Sequence, residues 1–99
     1  MVFKIEISEA AKNDIDKAVI YYNSESTSLS NRFYRQLMEA LKKIKSNPNY
    51  YSYYKIPYRR LLLKDFPYLI LYKVYNNTVI VIGVFFEMIN PEKITDRIK

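Results

Sequence analysis

Arg59 and Arg60 sit side by side in the stretch Tyr58-Arg59-Arg60-Leu61-Leu62-Leu63-Lys64. In an extended chain, adjacent residues point to opposite sides. One guanidinium therefore faces solvent or a partner, and the other must reach a carboxylate or the sheet edge. Such groups bind phosphates and carboxylates. Lys55 and Lys64 lie close in sequence, among Tyr50, Tyr51, Tyr53, Tyr54 and Tyr58. Basic and aromatic residues mixed in this way bind phosphate and stack bases or anchor a protein interface. They can also pack tyrosine rings over a sheet with the hydroxyls wet.

Acid–base work has few candidates: Arg60, Lys64, Tyr72 and Glu87. The chain has no histidine and no cysteine. Thiol catalysis, thiolate metal sites and disulfides are excluded, and the commonest general base and zinc ligand are missing. No metal and no cofactor is expected. Phe85, Phe86, Met88 and Ile89 cluster in sequence at the end of an apolar run. They either await a partner or lie beneath the charged tail at 92–99.

Residues 2–7 alternate as a half-buried strand. Ser8 offers an N-cap, and Ala11, Ile15, Ala18, Val19 and Tyr22 recur at helical spacing, so 9–23 predicts an amphipathic helix. A polar break over 23–28 precedes a second helix, whose stripe is Leu29, Phe33, Leu37, Ala40, Leu41 and Ile44; Asn47-Pro48 stops it. Its last turns carry Lys42, Lys43 and Lys45, as the helix dipole favours. Residues 49–57 read as a loop with bulky anchors. Strands follow at 59–64, 68–75 and 78–86, joined by Lys64-Asp65-Phe66-Pro67 and by the two-residue turn Asn76-Asn77. Val79 to Val84 is apolar on both sides, which predicts a central strand covered on both faces. The expected architecture is α+β: a strand, a helical hairpin and a three-stranded antiparallel meander, with the helices on one face.

Ninety-nine residues suit one domain spanning 1–99, and 49% hydrophobic residues suit a packed core. The charges in Met1 to Glu6 do not suit a signal peptide, and Val79 to Phe86 is too short to span a bilayer. A cytoplasmic protein with no membrane association is expected. The net charge of +6 favours solubility and acidic partners: nucleic acid, the ribosome or an acidic protein segment.

Taken in order, these pieces resemble the RelE/ParE superfamily of toxins from type II toxin–antitoxin systems. The resemblance covers nearly the whole chain. It runs from Ser8-Glu9-Ala10-Ala11 and Tyr21-Tyr22, through Phe33, Leu37 and Asn47-Pro48, to Asn90-Pro91. Its most specific part is the arginine strand at 58–64, the Phe66-Pro67-Tyr68 turn and the strand Leu69 to Val74. The resemblance implies a toxin neutralised by a cognate antitoxin that wraps around it, with plasmid stabilisation as a role. Contact residues for target or antitoxin are then Lys55, Tyr58, Arg59, Arg60, Phe85, Phe86 and Met88.

Relatives that cut mRNA on the ribosome carry a basic residue just after the turn, where this chain has Leu69. Many also carry a histidine or an arginine pair where this chain has Phe86-Glu87-Met88-Ile89. Cleavage through a ribose hydroxyl needs a base, an acid and cations for the phosphorane. The ParE branch, which poisons DNA gyrase, does not need that cluster. The expectation is thus a ParE-like, non-enzymatic inhibitor. The alternatives are a ribosome-dependent mRNA endoribonuclease using Arg59 or Arg60, Lys64 and Tyr72 or Glu87, and a decayed homologue that only binds antitoxin. A homodimer and a toxin–antitoxin hetero-oligomer both remain open.

Overall fold

The computed structural model describes residues 2–98. In chain order the elements are β1 (Lys4–Ile7), α1 (Glu9–Glu25), α2 (Thr27–Ser46), β2 (Tyr53–Lys55), β3 (Tyr58–Leu62), β4 (Tyr68–Tyr75), β5 (Thr78–Phe86) and α3 (Pro91–Ile98). The Ser8 side chain caps α1 by accepting the Ala11 N–H at 3.1 Å. Ser26 does two jobs. Its N–H donates to the Tyr22 carbonyl at 3.0 Å, closing α1, and its hydroxyl accepts from the Leu29 N–H at 3.0 Å, opening α2. The break between the helices is therefore the single extended residue Ser26, not the whole polar stretch 23–28. Local hydrogen bonding by one serine is enough to stop one helix and start the next.

The sheet has five strands in the order β1-β5-β4-β3-β2. The meander β3-β4-β5 is antiparallel as expected, whereas β1 pairs with β5 in parallel, Ile5 opposite Val79. The turn between β4 and β5 is Asn76-Asn77, with Asn76 at φ 54°. Asparagine tolerates that left-handed region better than most residues. β2, within the stretch expected to be loop, is a three-residue strand at the sheet edge.

The helical hairpin covers one face. Ala11, Ile15, Ala18 and Tyr22 of α1 and Phe33, Leu37 and Ile44 of α2 pack with Ile70, Tyr72, Val79, Val81 and Val84 of the sheet. The second face carries a smaller cluster, Leu69, Leu71 and Phe85 beneath Ile94 of α3. Leu69 to Tyr72 are all buried because alternate residues feed alternate clusters. Residues 92–98 of the charged tail thus lie within a helix that folds back over the sheet, and Lys99 lies outside the described residues. It is latched by Arg97, whose guanidinium donates to both oxygens of Asp14 on α1, at 2.8 and 3.2 Å, and to the Ile82 carbonyl at 3.0 Å. The Asp14 carboxylate also accepts the Val84 N–H at 3.0 Å. Between these anchors β5 bulges: Leu71 faces Gly83 while Tyr72 faces Val81, leaving Ile82 extra. The Phe85 ring folds back so closely over Gly83 that a Cβ there would clash with it. Any larger residue at this position would have to push the Phe85 ring aside.

Candidate functional site

Strand alternation sends the two arginines to opposite faces, and their surroundings differ. Arg59 lies on the hairpin side, opposite Tyr72 of β4. Its guanidinium donates to the Tyr51 carbonyl at 2.6 Å and to the Tyr53 hydroxyl at 2.9 Å, and it stacks on the Tyr53 ring at 3.9 Å. Arg59 is therefore a brace for residues 51–53 rather than a free cation. Arg60 lies on the second face, opposite Leu71. It is exposed, and among the described residues no side-chain hydrogen bond or ion pair holds it.

Tyr58 shares the second face with Arg60 and packs at the margin of the cluster under α3. The Lys73 ammonium lies 5.8 Å from the Tyr58 ring, within the reach of a cation–π contact. Tyr58, Arg60 and Lys73 thus form a small cationic and aromatic strip beside α3. Neither Lys73 nor the Asp14–Arg97 pair was among the sequence candidates. Asp14 did carry a signal, being a carboxylate within helical spacing of Ala11 and Ala18 on the buried stripe. Lys55 is exposed at the edge strand β2, and Lys64 is exposed at the mouth of a cleft between β3 and α2.

Tyr72 does not fit the acid–base role considered for it. Its side chain is 0% exposed, and its hydroxyl donates to the Pro48 carbonyl at 2.6 Å. Burial pushes its ionisation up to about 12, against the opposing pull of Arg59 and with a small push from Tyr51. A group so placed can neither meet a substrate nor give up its proton near neutrality. Burial likewise raises Tyr22 and Tyr68, with neighbouring tyrosines adding to it.

Phe85, expected as a contact residue, presents almost no surface in this fold. It is buried, sandwiched between Gly83 below and Arg97, whose guanidinium lies 4.8 Å from its ring. Phe86 and Met88 remain outside, 41% and 81% exposed. Phe86 continues an aromatic row, its ring 5.6 Å from Tyr68, which in turn packs on Phe33 and Tyr22. Glu87 is exposed, and its N–H donates to the Pro67 carbonyl at 2.8 Å. It lies at the far end of β5 from the Asn76-Asn77 turn, beyond the residue paired with Tyr68.

The sequence candidates therefore separate into three places. Arg60 and Tyr58 share the open strip on the second face. Phe86, Glu87 and Met88 gather at the end of β5. Lys64 and Lys55 lie along the β3–β2 edge. Among the described residues no group of three His, Cys, Asp or Glu is arranged to hold a metal ion. No described helix is long and apolar enough to cross a membrane.

Residues 5–86 match the family model described as the ParE toxin of the type II toxin–antitoxin system parDE. Among solved structures, the chain is similar to one from the chromosomal ParDE TA system of P. aeruginosa. That match has a TM-score of 0.75 at 14% identity, covering 84% of this chain and 94% of the other. At that identity the likeness is one of fold. No curated protein matches the chain.

Proposed function

From the premise that this chain belongs to the ParE toxin family of type II toxin–antitoxin systems, we propose that it arrests growth by gripping a macromolecular target, DNA gyrase, and that a cognate antitoxin neutralises it. The observation that carries this reading is the seat of α3. Leu69 stands where the mRNA-cutting relatives would carry a cation, and here it is buried with Leu71 and Phe85 under Ile94. That part of the sheet holds a helix in place. What remains open on the same face is the strip of Arg60, Tyr58 and Lys73, which suits a surface contact. Arg60 is the residue assigned to the target, and Phe86 and Met88 form a separate apolar contact at the strand end.

Two parallel assays test the reading. The purified chain is added to a gyrase supercoiling reaction and to a bacterial cell-free translation reaction in which the mRNA ends are mapped. Inhibited supercoiling with intact message is the expected result. Codon-spaced cuts in translated message, absent without ribosomes, would restore the endoribonuclease. Full activity in both reactions would leave a homologue that only binds antitoxin.

A further inference from the structure

The outer side of β3 is only half covered. β2 pairs with it through Tyr53 opposite Arg59 and Lys55 opposite Tyr58, and the last bond between the two segments runs from the Arg60 N–H to the Ser52 carbonyl at 3.0 Å. Three residues on, the Leu63 N–H turns inward and donates to the Tyr68 carbonyl at 2.9 Å. Alternation along the strand therefore turns the N–H and carbonyl of Leu62 outward. Among the described residues no hydrogen bond reaches either group. The preceding chain is not alongside to supply one, because it turns on itself where the Tyr50 N–H meets the Asn47 carbonyl at 3.2 Å.

Beside this open edge lies a cleft of about 260 Å³ between β3 and α2. Ala40, Leu61 and Leu63 give it an apolar wall, and Lys43 and Lys64 stand at its mouth. Glu39 also borders it, but this carboxylate is shared with an adjoining crevice that holds Arg32 and Arg35. On the second face, Arg60 and the half-exposed Leu62 flank the same edge.

We propose that the open edge of β3 at Leu62 is a strand-addition site for an extended acidic peptide, with one apolar side chain seated in the cleft. An added strand would satisfy the Leu62 N–H and carbonyl, as peptides do at other exposed sheet edges. Its side chains would alternate. One set enters the cleft against Ala40, Leu61 and Leu63. The other emerges beside Arg60 on the second face, and Lys43 and Lys64 add positive charge at the cleft mouth. The fitting pattern is acidic–apolar–acidic, and the +6 charge of the chain favours it at long range. Identifying this peptide with a segment of the antitoxin rests on the toxin–antitoxin reading above. The strand-addition site itself does not.

The probe is the heptapeptide acetyl-Glu-Val-Glu-Leu-Glu-Val-Glu-amide, titrated into the full ¹⁵N-labelled chain. Binding should shift the Leu62 amide and slow its hydrogen exchange about tenfold or more. N-methylation of alternate peptide amides should weaken binding about tenfold, through loss of edge hydrogen bonds. A Lys43→Glu, Lys64→Glu double variant should weaken it by a similar factor, and a lysine-for-glutamate peptide should not bind. Binding that leaves Leu62 unprotected, or that survives N-methylation, overturns the proposal, as does no binding at all. Concentration-dependent protection of Leu62 without peptide would mean that a second copy holds the edge, and also overturns it. Because the readout is the Leu62 amide, this test can fail while gyrase inhibition stands, or succeed in a chain that inhibits nothing.

Discussion

Replacing Tyr72 by phenylalanine tests whether this tyrosine is a structural pin or a reacting group. The side chain is fully buried, and its hydroxyl donates to the Pro48 carbonyl at the end of the long α2 connection. Tyr72→Phe keeps the ring and strands that carbonyl, which should cost about 1–3 kcal/mol at neutral pH. The alkaline limb gives a second, independent signature. The ordinary tyrosine value is 10.0, and burial pushes Tyr72 up to about 12. Between those values the unfolded chain has released the proton and the folded one still holds it. The folded state binds more protons, so stability falls as pH rises. The contribution is fully present below about pH 10 and lost through about pH 12. At 1.36 kcal/mol per unit, about two units give roughly 3 kcal/mol in all, of which about half is lost by pH 11.

The variant lacks that loss. The stability gap between wild type and Tyr72→Phe should therefore narrow from about 1–3 kcal/mol near pH 7 to little or nothing near pH 12. Tyr22 and Tyr68, also raised by burial, act alike in both proteins and cancel. Urea unfolding across the alkaline range, with tyrosinate absorbance followed in the native state, reads the gap directly. A gap that stays constant with pH would refute the reasoning. So would a folded Tyr72→Phe protein that has lost growth arrest, because a buried pin has no part in the chemistry.

The arginine pair should divide cleanly. Arg60→Glu should abolish target inhibition while shifting stability by less than about 0.5 kcal/mol, whereas Arg59→Ala should lower stability by about 1–2 kcal/mol through the lost bonds to Tyr51 and Tyr53; growth arrest and thermal melts separate the two. Asp14→Ala should destabilise more than Arg97→Ala, since it frees both Arg97 and the Val84 N–H. In both variants hydrogen exchange should quicken through α3 before it does so in the hairpin. Gly83→Ala should cost about 1–3 kcal/mol by pushing the Phe85 ring out of its seat, seen as a lower Tm and loss of protection near Ile94.

Much of this fold is legible in the sequence because its signals are local. The stripes of α1 and α2, the Asn47-Pro48 stop and the Asn76-Asn77 turn each follow from a short run of residues. β2 is not legible, since three residues show no period and the strand exists only by pairing with Tyr58 and Arg59. The parallel pairing of β1 with β5 is not legible either, because no residue between them reports which edge β1 joins. At the site, alternation separates Arg59 from Arg60, but which faces outward depends on how β3 registers with β4. Tyr72 and Phe85 read as exposed chemistry for a related reason. A tyrosine in a strand looks the same whether its hydroxyl meets solvent or Pro48, and Phe85 is buried in a cluster that includes Ile94 of α3, a helix tied to α1 by the distant pair Arg97 and Asp14.

That latch also concentrates the available surface. With α3 seated on Leu69, Leu71 and Phe85, the open chemistry of the second face falls largely to Tyr58 and Arg60 of β3 and to Lys73 of β4. One short strand then presents a brace inward at Arg59, an exposed cation outward at Arg60 and, among the described residues, an unpaired edge at Leu62. A peptide strand added at Leu62 would run beside Arg60. The proposed neutraliser and the proposed target would then compete for the same few ångströms of surface, and neither would need to deform the fold. The expectation is simple exclusion: the acidic heptapeptide should relieve gyrase inhibition in proportion to its occupancy of Leu62. Relief by a peptide that leaves Leu62 unprotected would place neutralisation elsewhere on the molecule.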